Sequence, residues 1–322
     1  MSAKKKSRVL LLCGGVGGAK LAHGFEQLAD EVEVWALVNT GDDFEHLGLN
    51  ISPDLDTVLY TLAGIANQEL GWGIEGESWR TLERLAALGG DSWFRLGDLD
   101  IATHLFRTAA LRRGETLTNV TRELASQLGV RSRILPATDD RLRTQVHTES
   151  AVLDFQTYFV REQCAPVVER LEYVGADSAA PAPELLTLLA DQAKPFDAII
   201  IAPSNPFLSI APILAINGLA AQLRQASARI LAVSPIVSGQ AIKGPAAKLM
   251  AELNLEVSAA AWAMYLRDSY DDLIDEWILD TADASDAQKL QEKGFAVRTS
   301  NTIMTGAPER VALAKWLLAD RA

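Results

Sequence analysis

The chain has 322 residues, of which 48% are hydrophobic and 22% charged, as expected for a globular protein that can bury a sizeable core. Its net charge of −12 argues against general nucleic-acid binding, which needs a basic surface to neutralise phosphates. No apolar run approaches the roughly 20 residues that a membrane-spanning helix requires.

The N-terminal segment Met1–Ser7 carries three lysines and is predicted to be a solvated tail. The apolar run Val9–Cys13 that follows is too short for a signal peptide and ends in glycines without a cleavage site. Cys13 and Cys164 show neither metal-ligand spacing nor a pairing pattern, so we expect both to stay reduced in a cytoplasmic protein.

Aliphatic and β-branched runs alternate with amphipathic stretches of helical length, which predicts a Rossmann-like α/β fold with a doubly wound, mainly parallel sheet. The predicted strands are Arg8–Cys13, Val32–Val38, Ala198–Ala202, Arg229–Val233 and Asp275–Leu279. The predicted helices of this core are Ala19–Leu28, Leu55–Ala63, Pro183–Gln192, Pro212–Gln225, Pro245–Glu252 and Pro308–Leu318.

Strand signals stop between about residues 64 and 130, where the pattern predicts a mostly helical insertion with helices Ser78–Leu88, Leu99–Leu111 and Leu117–Leu128. Further on, the alternating runs Thr144–His147 and Ala151–Phe155 predict a small β excursion of one or two hairpins. The Ala-Pro-rich run Ala176–Pro183 is predicted to be a surface loop, so we expect one domain over residues 1–322.

The first predicted strand ends in a glycine-rich turn that contains Gly14, Gly15, Gly17, Gly18 and Lys20. Glycines allow backbone N–H groups to approach an anion, and the following helix would present its positive end to it. The turn matches neither the Walker A loop nor the dinucleotide fingerprint, because Leu21 follows the lysine and Lys20 occupies the place of the third glycine. It is therefore a candidate phosphate site of another type, or a tight turn without a ligand.

Polar residues cluster after the second predicted strand. They are Asn39, Thr40, Asp42, Asp43, Asp54 and Asp56. One or two of the aspartates could merely cap a helix, as Asp54 could for the helix from Leu55. Four carboxylates beside a phosphate turn would repel a diphosphate unless a hard cation lay between them, which favours a Mg²⁺ site.

Two features of the helical insertion carry weaker signals. Asp98 and Asp100 are typical helix caps, but Arg95 and His104 beside them are harder to explain structurally. The tryptophans at 72, 79 and 93 are either core residues or the walls of a pocket for a flat ligand.

Two loops repeat the polar, Gly/Pro-rich pattern after later strands. They are Ala202–Pro206, with Ser204 and Asn205, and Ser234–Gly239. Ligands of doubly wound sheets bind at this edge. The chain has no nucleophile elbow, and neither cysteine has a histidine near it in the sequence, which favours direct transfer without a covalent enzyme intermediate.

In order and spacing, five segments resemble those of the CofD family, the 2-phospho-L-lactate transferases of coenzyme F-420 biosynthesis. They are Gly14–Lys20, Asn39–Thr57, Arg95–His104, Pro203–Pro206 and Ser234–Leu249. The resemblance runs from about Arg8 to Pro308. Its most specific parts are Pro53–Thr57 and the run from Leu96 to Asp100.

The resemblance implies a reaction in which the terminal hydroxyl of Fo, a deazaflavin with a ribityl chain, attacks the distal phosphorus of a guanosine-diphosphate-activated acid. GMP leaves, and a coenzyme F-420-0-type phosphodiester forms. The acid could be phospholactate, phosphoenolpyruvate or 3-phosphoglycerate. A partner guanylyltransferase would supply the donor, and the resemblance also implies a homodimer.

By matching position, the resemblance places Asp56 and Arg95 at Fo and gives Asp43 and Asp56 a catalytic role with Mg²⁺. The phosphates of the donor would be held by Gly14, Gly15, Gly17, Gly18, Lys20, Asn39, Thr40, Ser204 and Asn205. Family members often carry Lys where this chain has Arg95, which keeps the charge but changes the hydrogen-bond geometry.

Two other functions remain open at this point. A nucleotide-sugar-binding regulator of the gluconeogenesis-factor type shares the glycine turn, but it typically continues Asp-Asp into a Gly-Gly-Ser-Ser-Gly run that is absent here. A nicotinamide-dependent dehydrogenase is disfavoured by the broken glycine fingerprint.

Overall fold

The computed structural model describes residues 6–242 and 244–319, so most of the expected N-terminal tail lies outside the described residues. The strands are β1 Ser7–Cys13, β2 Val32–Val38, β3 Phe44–His46, β4 Leu49–Ile51, β5 Arg133–Pro136, β6 Arg143–Thr148, β7 Val152–Asp154, β8 Val168–Val174, β9 Ala198–Ile201, β10 Arg229–Val233, β11 Ile236–Val237, β12 Gln240–Ala241, β13 Glu276–Asp280 and β14 Val297–Ser300.

The α-helices are α1 Gly15–Glu26, α2 Pro53–Leu62, α3 Arg80–Ala87, α4 Asp98–Arg112, α5 Leu117–Gln127, α6 Pro183–Ala190, α7 Ala211–Ala215, α8 Leu219–Gln225, α9 Ala246–Glu252, α10 Ala259–Ser269, α11 Ala284–Glu292 and α12 Ala307–Leu318. Two π-helical turns, Thr157–Arg161 and Pro206–Ile210, and a 3₁₀ turn, Thr281–Asp283, complete the helical structure of the described residues.

Seven parallel strands form the central sheet, in the order β14-β13-β10-β9-β1-β2-β5. The predicted Rossmann-like α/β fold is confirmed. The five predicted strands correspond to β1, β2, β9, β10 and β13 within one residue at each end, whereas both edge strands were missed. An edge strand such as Arg133–Pro136 is short and partly polar, so it lacks the continuous apolar run of a buried strand.

The core lies on both faces of this sheet because neighbouring residues of a strand point to opposite sides. Leu10 and Leu12 of β1 belong to one buried cluster, with Trp262 and Trp277. Val9, Leu11 and Cys13 belong to the other, which packs beneath α1, α2 and α12. Burial on both faces holds β1, the strand at the centre of the candidate site, in place.

Several helix boundaries differ from those predicted. Helix α1 begins at Gly15 rather than Ala19, so the glycines form its first turn instead of preceding it. The predicted helix Pro212–Gln225 is broken into α7 and α8, because Gly218 has a φ of 75° and turns the chain between them. Helices α10 and α11 were not predicted.

The run Ala176–Pro183 was predicted to be a surface loop, and this is wrong in part. Ala176, Ala179 and Ala182 are buried in the core, while Ser178 and Ala180 are exposed. Small side chains allow this backbone to lie directly on the core. The single domain stays a prediction.

In the described part of the chain, no single helix has the length and apolar character needed to cross a membrane. One bent pair of helical segments, Pro206–Ala215 and Leu219–Gln225, meets the requirement in length and composition only.

Two excursions leave the central sheet. The first runs from β2 to β5 and holds the β3–β4 hairpin with α2, α3, α4 and α5. Helices α3, α4 and α5 form the predicted helical insertion. The second is an antiparallel sheet of order β7-β6-β8, which confirms the predicted β excursion. Both excursions contribute residues to a cavity at the carboxyl edge of the central sheet.

Candidate active site

A cavity of about 650 Å³ opens beyond the carboxyl ends of the central strands. Its floor is made by loops that follow β1, β2, β9 and β10, where doubly wound sheets bind their ligands. The floor residues are Gly14, Gly15, Val16, Gly17, Asp42, Pro203, Ser204, Asn205 and Pro235, and Lys20, Asp54 and Thr57 reach the cavity from α1 and α2.

The glycine turn and the loop after β9 lie in direct contact. Ser204 Oγ accepts a hydrogen bond from Gly14 N (3.2 Å) and donates one to Gly14 O (2.8 Å). A Cβ atom on Gly17 would lie 2.2 Å from Pro203 O, so only glycine allows this approach. The first turn of α1 therefore lies at the cavity with little cover from its own glycine residues, and its Gly15 N–H donates a hydrogen bond to Asp54 Oδ1 (2.6 Å).

Asn205 closes this side of the floor. Its Oδ1 accepts hydrogen bonds from Phe207 N (3.0 Å) and Leu208 N (3.1 Å), which caps the π-helical turn that follows. Its Nδ2 is buried and, among the described residues, has no hydrogen-bond partner. A buried donor at the edge of a cavity favours an acceptor such as a phosphate oxygen. Ser204 and Asn205 thus both line the cavity, and their contact with the donor phosphates stays a prediction.

The side-chain amide of Asn39 forms its hydrogen bonds within the protein. Its Nδ2 lies 2.8 Å from Asp42 Oδ1 and 3.0 Å from Asp54 Oδ2, while its Oδ1 accepts a hydrogen bond from Gly41 N. Asn39 thus joins the two carboxylates that line the cavity. Neither Asn39 nor Thr40 is among the described residues that line it, so their predicted contact with the donor lacks geometric support.

The carboxylates at the cavity are buried and crowd one another. Burial, with Asp54 and Asp43 nearby, raises the pKa of Asp42 well above its usual range. Burial also raises the pKa of Asp54 to about 6, although Asp54 accepts hydrogen bonds from Asn39 and from Gly15 N (2.6 Å). Crowded carboxyls at a candidate phosphate site are suited to binding a cation or a proton.

Asp43 lies behind this pair. Its Oδ2 accepts a hydrogen bond from Ser52 Oγ (2.8 Å), and within the described residues its buried Oδ1 has no hydrogen-bond partner. Burial raises the pKa of Asp43 to about 7, although Arg143 and Arg107 act in the opposite direction. A buried oxygen without a donor is a plausible cation ligand.

Asp56 points away from the cavity. Both its oxygens accept hydrogen bonds from the guanidinium of Arg107, and both side chains are buried. Asp54 and Thr57 are one turn apart and share the cavity face of α2, whereas Asp56 faces α4. The predicted contacts of Asp56 with Fo and Mg²⁺ stay predictions, and the structure gives its charge another partner.

A buried polar network surrounds the Asp56–Arg107 pair. His104 Nδ1 lies 3.2 Å from Arg107 Nη1, and Tyr60 OH donates a hydrogen bond to Asp100 Oδ1 (2.6 Å). Asp56, Asp100 and His104 could together hold a metal ion, since their ligand atoms lie within 4.8 Å of one another. The Arg107 guanidinium already compensates the charge there, so a second cation is disfavoured.

Aromatic side chains wall the cavity above the carboxylates. Trp72, Trp93 and Phe94 line it from the first excursion. Arg95 also lines it, with its guanidinium 4.4 Å from the ring centre of Trp79 and 5.9 Å from that of Trp72. Stacking fixes the direction of Arg95 at the cavity wall, and its contact with the acceptor stays a prediction.

The second excursion supplies another wall, which the sequence analysis did not assign to the site. Phe155 and Phe159 line the cavity with parallel rings whose centres are 5.4 Å apart. The available signal was a pair of aromatic residues four apart, of which Phe155 ends the predicted run Ala151–Phe155 and Phe159 follows it.

With this geometry in place, the comparisons with known proteins are informative. The family model described as 2-phospho-L-lactate transferase CofD matches residues 9–305. The chain belongs to the CofD family.

Curated relatives agree with this assignment. A phosphoenolpyruvate transferase of Streptomyces griseus is 37% identical over 316 residues, which cover 97% of each chain. A 2-phospho-L-lactate transferase of Methanosarcina mazei is 34% identical over 307 residues, which cover 95% of this chain and 98% of the relative. The chain is therefore a transferase of the phosphotransferase type, and its family moves phosphorylated acids.

Solved structures support the fold alone. A UPF0052-family protein of Bacillus halodurans covers 98% of this chain with a TM-score of 0.66 and 17% sequence identity. At this identity the likeness carries no information about substrates.

The two buried aspartates behind the cavity predict opposite effects on stability. Because the pKa of Asp43 rises from near 4 in the unfolded chain to about 7 on folding, its ionisation destabilises the fold as pH rises through that interval. In a chelating buffer, Asp43→Asn should therefore melt higher than the wild type at pH 8, and this difference should shrink towards pH 4.

Asp56→Asn should instead lower the melting temperature at pH 8, because it leaves the buried Arg107 without its counter-charge, a loss of about 3–5 kcal/mol. Thermal melts of the wild type and both variants, across pH 4–8, measure these differences. A stable Asp56→Asn variant would show that its ion pair with Arg107 contributes little.

Proposed function

We propose that this CofD-family transferase moves a phospho-acid from a guanosine-diphosphate-activated donor to the terminal hydroxyl of Fo, with release of GMP. The observation that carries the proposal is the continuity of one cavity, which joins the glycine-rich N-terminus of α1, a carboxylate cluster and aromatic walls. These three parts suit a diphosphate, a cation with a reacting hydroxyl, and a flat ring, respectively.

The donor's diphosphate would lie against the first turn of α1, with Ser204 and Asn205 opposite and Lys20 alongside. The guanosine then extends away from the carboxylates, and the distal phosphorus faces them. This arrangement leaves room for in-line attack, which depends on positioning and charge neutralisation.

Fo would enter from the side of the aromatic walls, with its ribityl chain directed at Asp42 and Asp54. In the transfer, the terminal oxygen of Fo bonds to the distal phosphorus, and the bond from that phosphorus to the oxygen of GMP breaks. The hydroxyl proton passes to a carboxylate, and we assign this role to Asp54, which lines the cavity and whose pKa is raised to about 6.

The residues present fit Mg²⁺, because Asp42 and Asp43 are adjacent, buried and short of compensating charge. These two carboxylates would hold the ion, and Asp56 would join them only if Arg107 released it. When bound, Mg²⁺ neutralises the negative charge of the donor's phosphates.

We also propose a cytoplasmic homodimer that receives its donor from a partner guanylyltransferase. Molecular mass in solution, measured by light scattering, tests the dimer. A mixture of the two enzymes with GTP tests the supply of donor.

The reaction is tested by offering Fo with donors made from phospholactate, phosphoenolpyruvate and 3-phosphoglycerate. Product mass and released GMP are measured for each. One product and GMP in equal amounts are expected for at least one acid. Nucleotide binding without product from any acid would favour a regulator of the gluconeogenesis-factor type.

Turnover should require a divalent cation, since Asp42, Asp43 and Asp54 would otherwise repel the donor. Exhaustive chelation should abolish product formation, and Mg²⁺ or Mn²⁺ should restore it, because both accept oxygen ligands in octahedral geometry. Full activity in the chelated enzyme, with its metal content checked by elemental analysis, would contradict the cation site.

Arg95→Ala should raise the KM for Fo more than the KM for the donor, by about fivefold, through loss of the charge stacked on Trp79. Steady-state kinetics with each substrate varied in turn measure the two effects. Arg84→Ala is the matched control, since Arg84 is an exposed arginine of α3 outside the cavity lining. Equal effects on both substrates would show that Arg95 does not contact the acceptor.

A further inference from the structure

The segment from Phe155 to Gln163 connects β7 to β8 and forms part of the cavity wall. Five of its side chains line the cavity: Phe155, Gln156, Phe159, Val160 and Gln163. It contains the π-helical turn Thr157–Arg161, a conformation that is rare in general and frequent at functional sites. In the sequence this segment contains no glycine and matches no phosphate-binding pattern.

Phe159 is the unusual member of this wall. Its side chain is 39% exposed, whereas Phe155 beneath it is only 7% exposed. The two rings are stacked, with an angle of 21° between their planes, so Phe155 supports Phe159 from behind. The outer face of a supported, exposed phenyl ring at a cavity is suited to stacking against another flat ring.

The backbone behind this ring is fastened to the protein. Tyr158 is fully buried, and its hydroxyl accepts a hydrogen bond from Lys248 Nζ (3.2 Å), which also donates to Pro166 O (3.0 Å). Gln163 and Cys164 both have left-handed φ angles, near 51° and 57°, and turn the chain back towards β8. Tyr158, next to Phe159, is thus anchored, and the chain turns back shortly after Phe159.

The position of this wall indicates which substrate it meets. It begins directly after Asp154, which interacts electrostatically with Arg143, and Arg143 interacts in turn with Asp42 and Asp43. The wall therefore starts beside the carboxylates, where the acceptor hydroxyl must lie. In the proposed function, the guanosine of the donor extends in the other direction from the phosphate site.

We propose that Phe159, supported by Phe155, is a specificity-determining residue that stacks against the ring of the acceptor and selects a flat aromatic alcohol. This inference rests on the acceptor named in the proposed function. It assigns the acceptor a second aromatic wall, supplied by the β excursion, in addition to the tryptophans of the helical insertion.

The test compares three variants by calorimetric titration with Fo alone and with GDP alone. Phe159→Ala should weaken binding of Fo by about tenfold and leave binding of GDP unchanged, because only the ring contact is lost. Phe159→Tyr keeps a ring of the same shape and should bind Fo within about twofold of the wild type.

Phe106→Ala is the matched control, since Phe106 is 38% exposed on α4 and lies outside the cavity lining. It should change neither affinity, and melting temperatures confirm that every variant is folded. Unchanged binding of Fo to Phe159→Ala, or a loss confined to GDP, would overturn the inference while leaving the proposed reaction intact. Failure of the wild type to bind Fo would instead reject the proposed acceptor, and the inference with it.

Discussion

Four carboxylates are buried at the end of one strand, and the surrounding structure compensates their charge unequally. Asp56 has the guanidinium of Arg107, and Asp54 has the first N–H of α1 together with the Asn39 amide. Asp42 shares that same amide, and Asp43 has one hydroxyl. Burial without full compensation is costly, so this site is most stable when it holds additional positive charge. The start of α1 contributes the Gly15 N–H to this compensation, and α4 contributes Arg107.

Unequal compensation also divides the site by task. The pair that carries an internal counter-charge, Asp56 with Arg107, holds α2 against α4 and thereby positions the helical insertion. The carboxylates on the cavity side remain available to a substrate or a cation. One acidic run in the sequence thus has both a structural half and a chemical half, which lie on different faces of α2.

The sequence predicts the central sheet because its inner strands are mainly apolar, as strands buried on both faces require. The edge strands β5 and β14 were not predicted because each has only four residues and includes polar side chains. The acidic run, the glycine turn and the loop after β9 were predicted to share one site because each follows a predicted strand, and residues of all three line one cavity.

The orientation of individual side chains could not be predicted in the same way. Which aspartate faces the cavity depends on the rotation of α2 about its axis, and Arg107, the partner of Asp56, lies 51 residues further along the chain. Phe159 depends on a π-helical turn, which has no reliable sequence pattern. Contacts between distant segments determine the rotation of α2 and the position of Phe159, and local sequence propensities contain no information about such contacts.

The contact between Ser204 and Gly14 joins residues 190 positions apart, and β1 pairs with β9 over the same distance. During synthesis β1 is made before the other strands of the central sheet and can pair with β2 once that strand is made, but its other edge stays open until β9 has left the ribosome. An open edge of apolar residues such as Leu10 and Leu12 is prone to aggregation. Among the strands of the central sheet, β1 is therefore the one that waits longest for its second neighbour during synthesis.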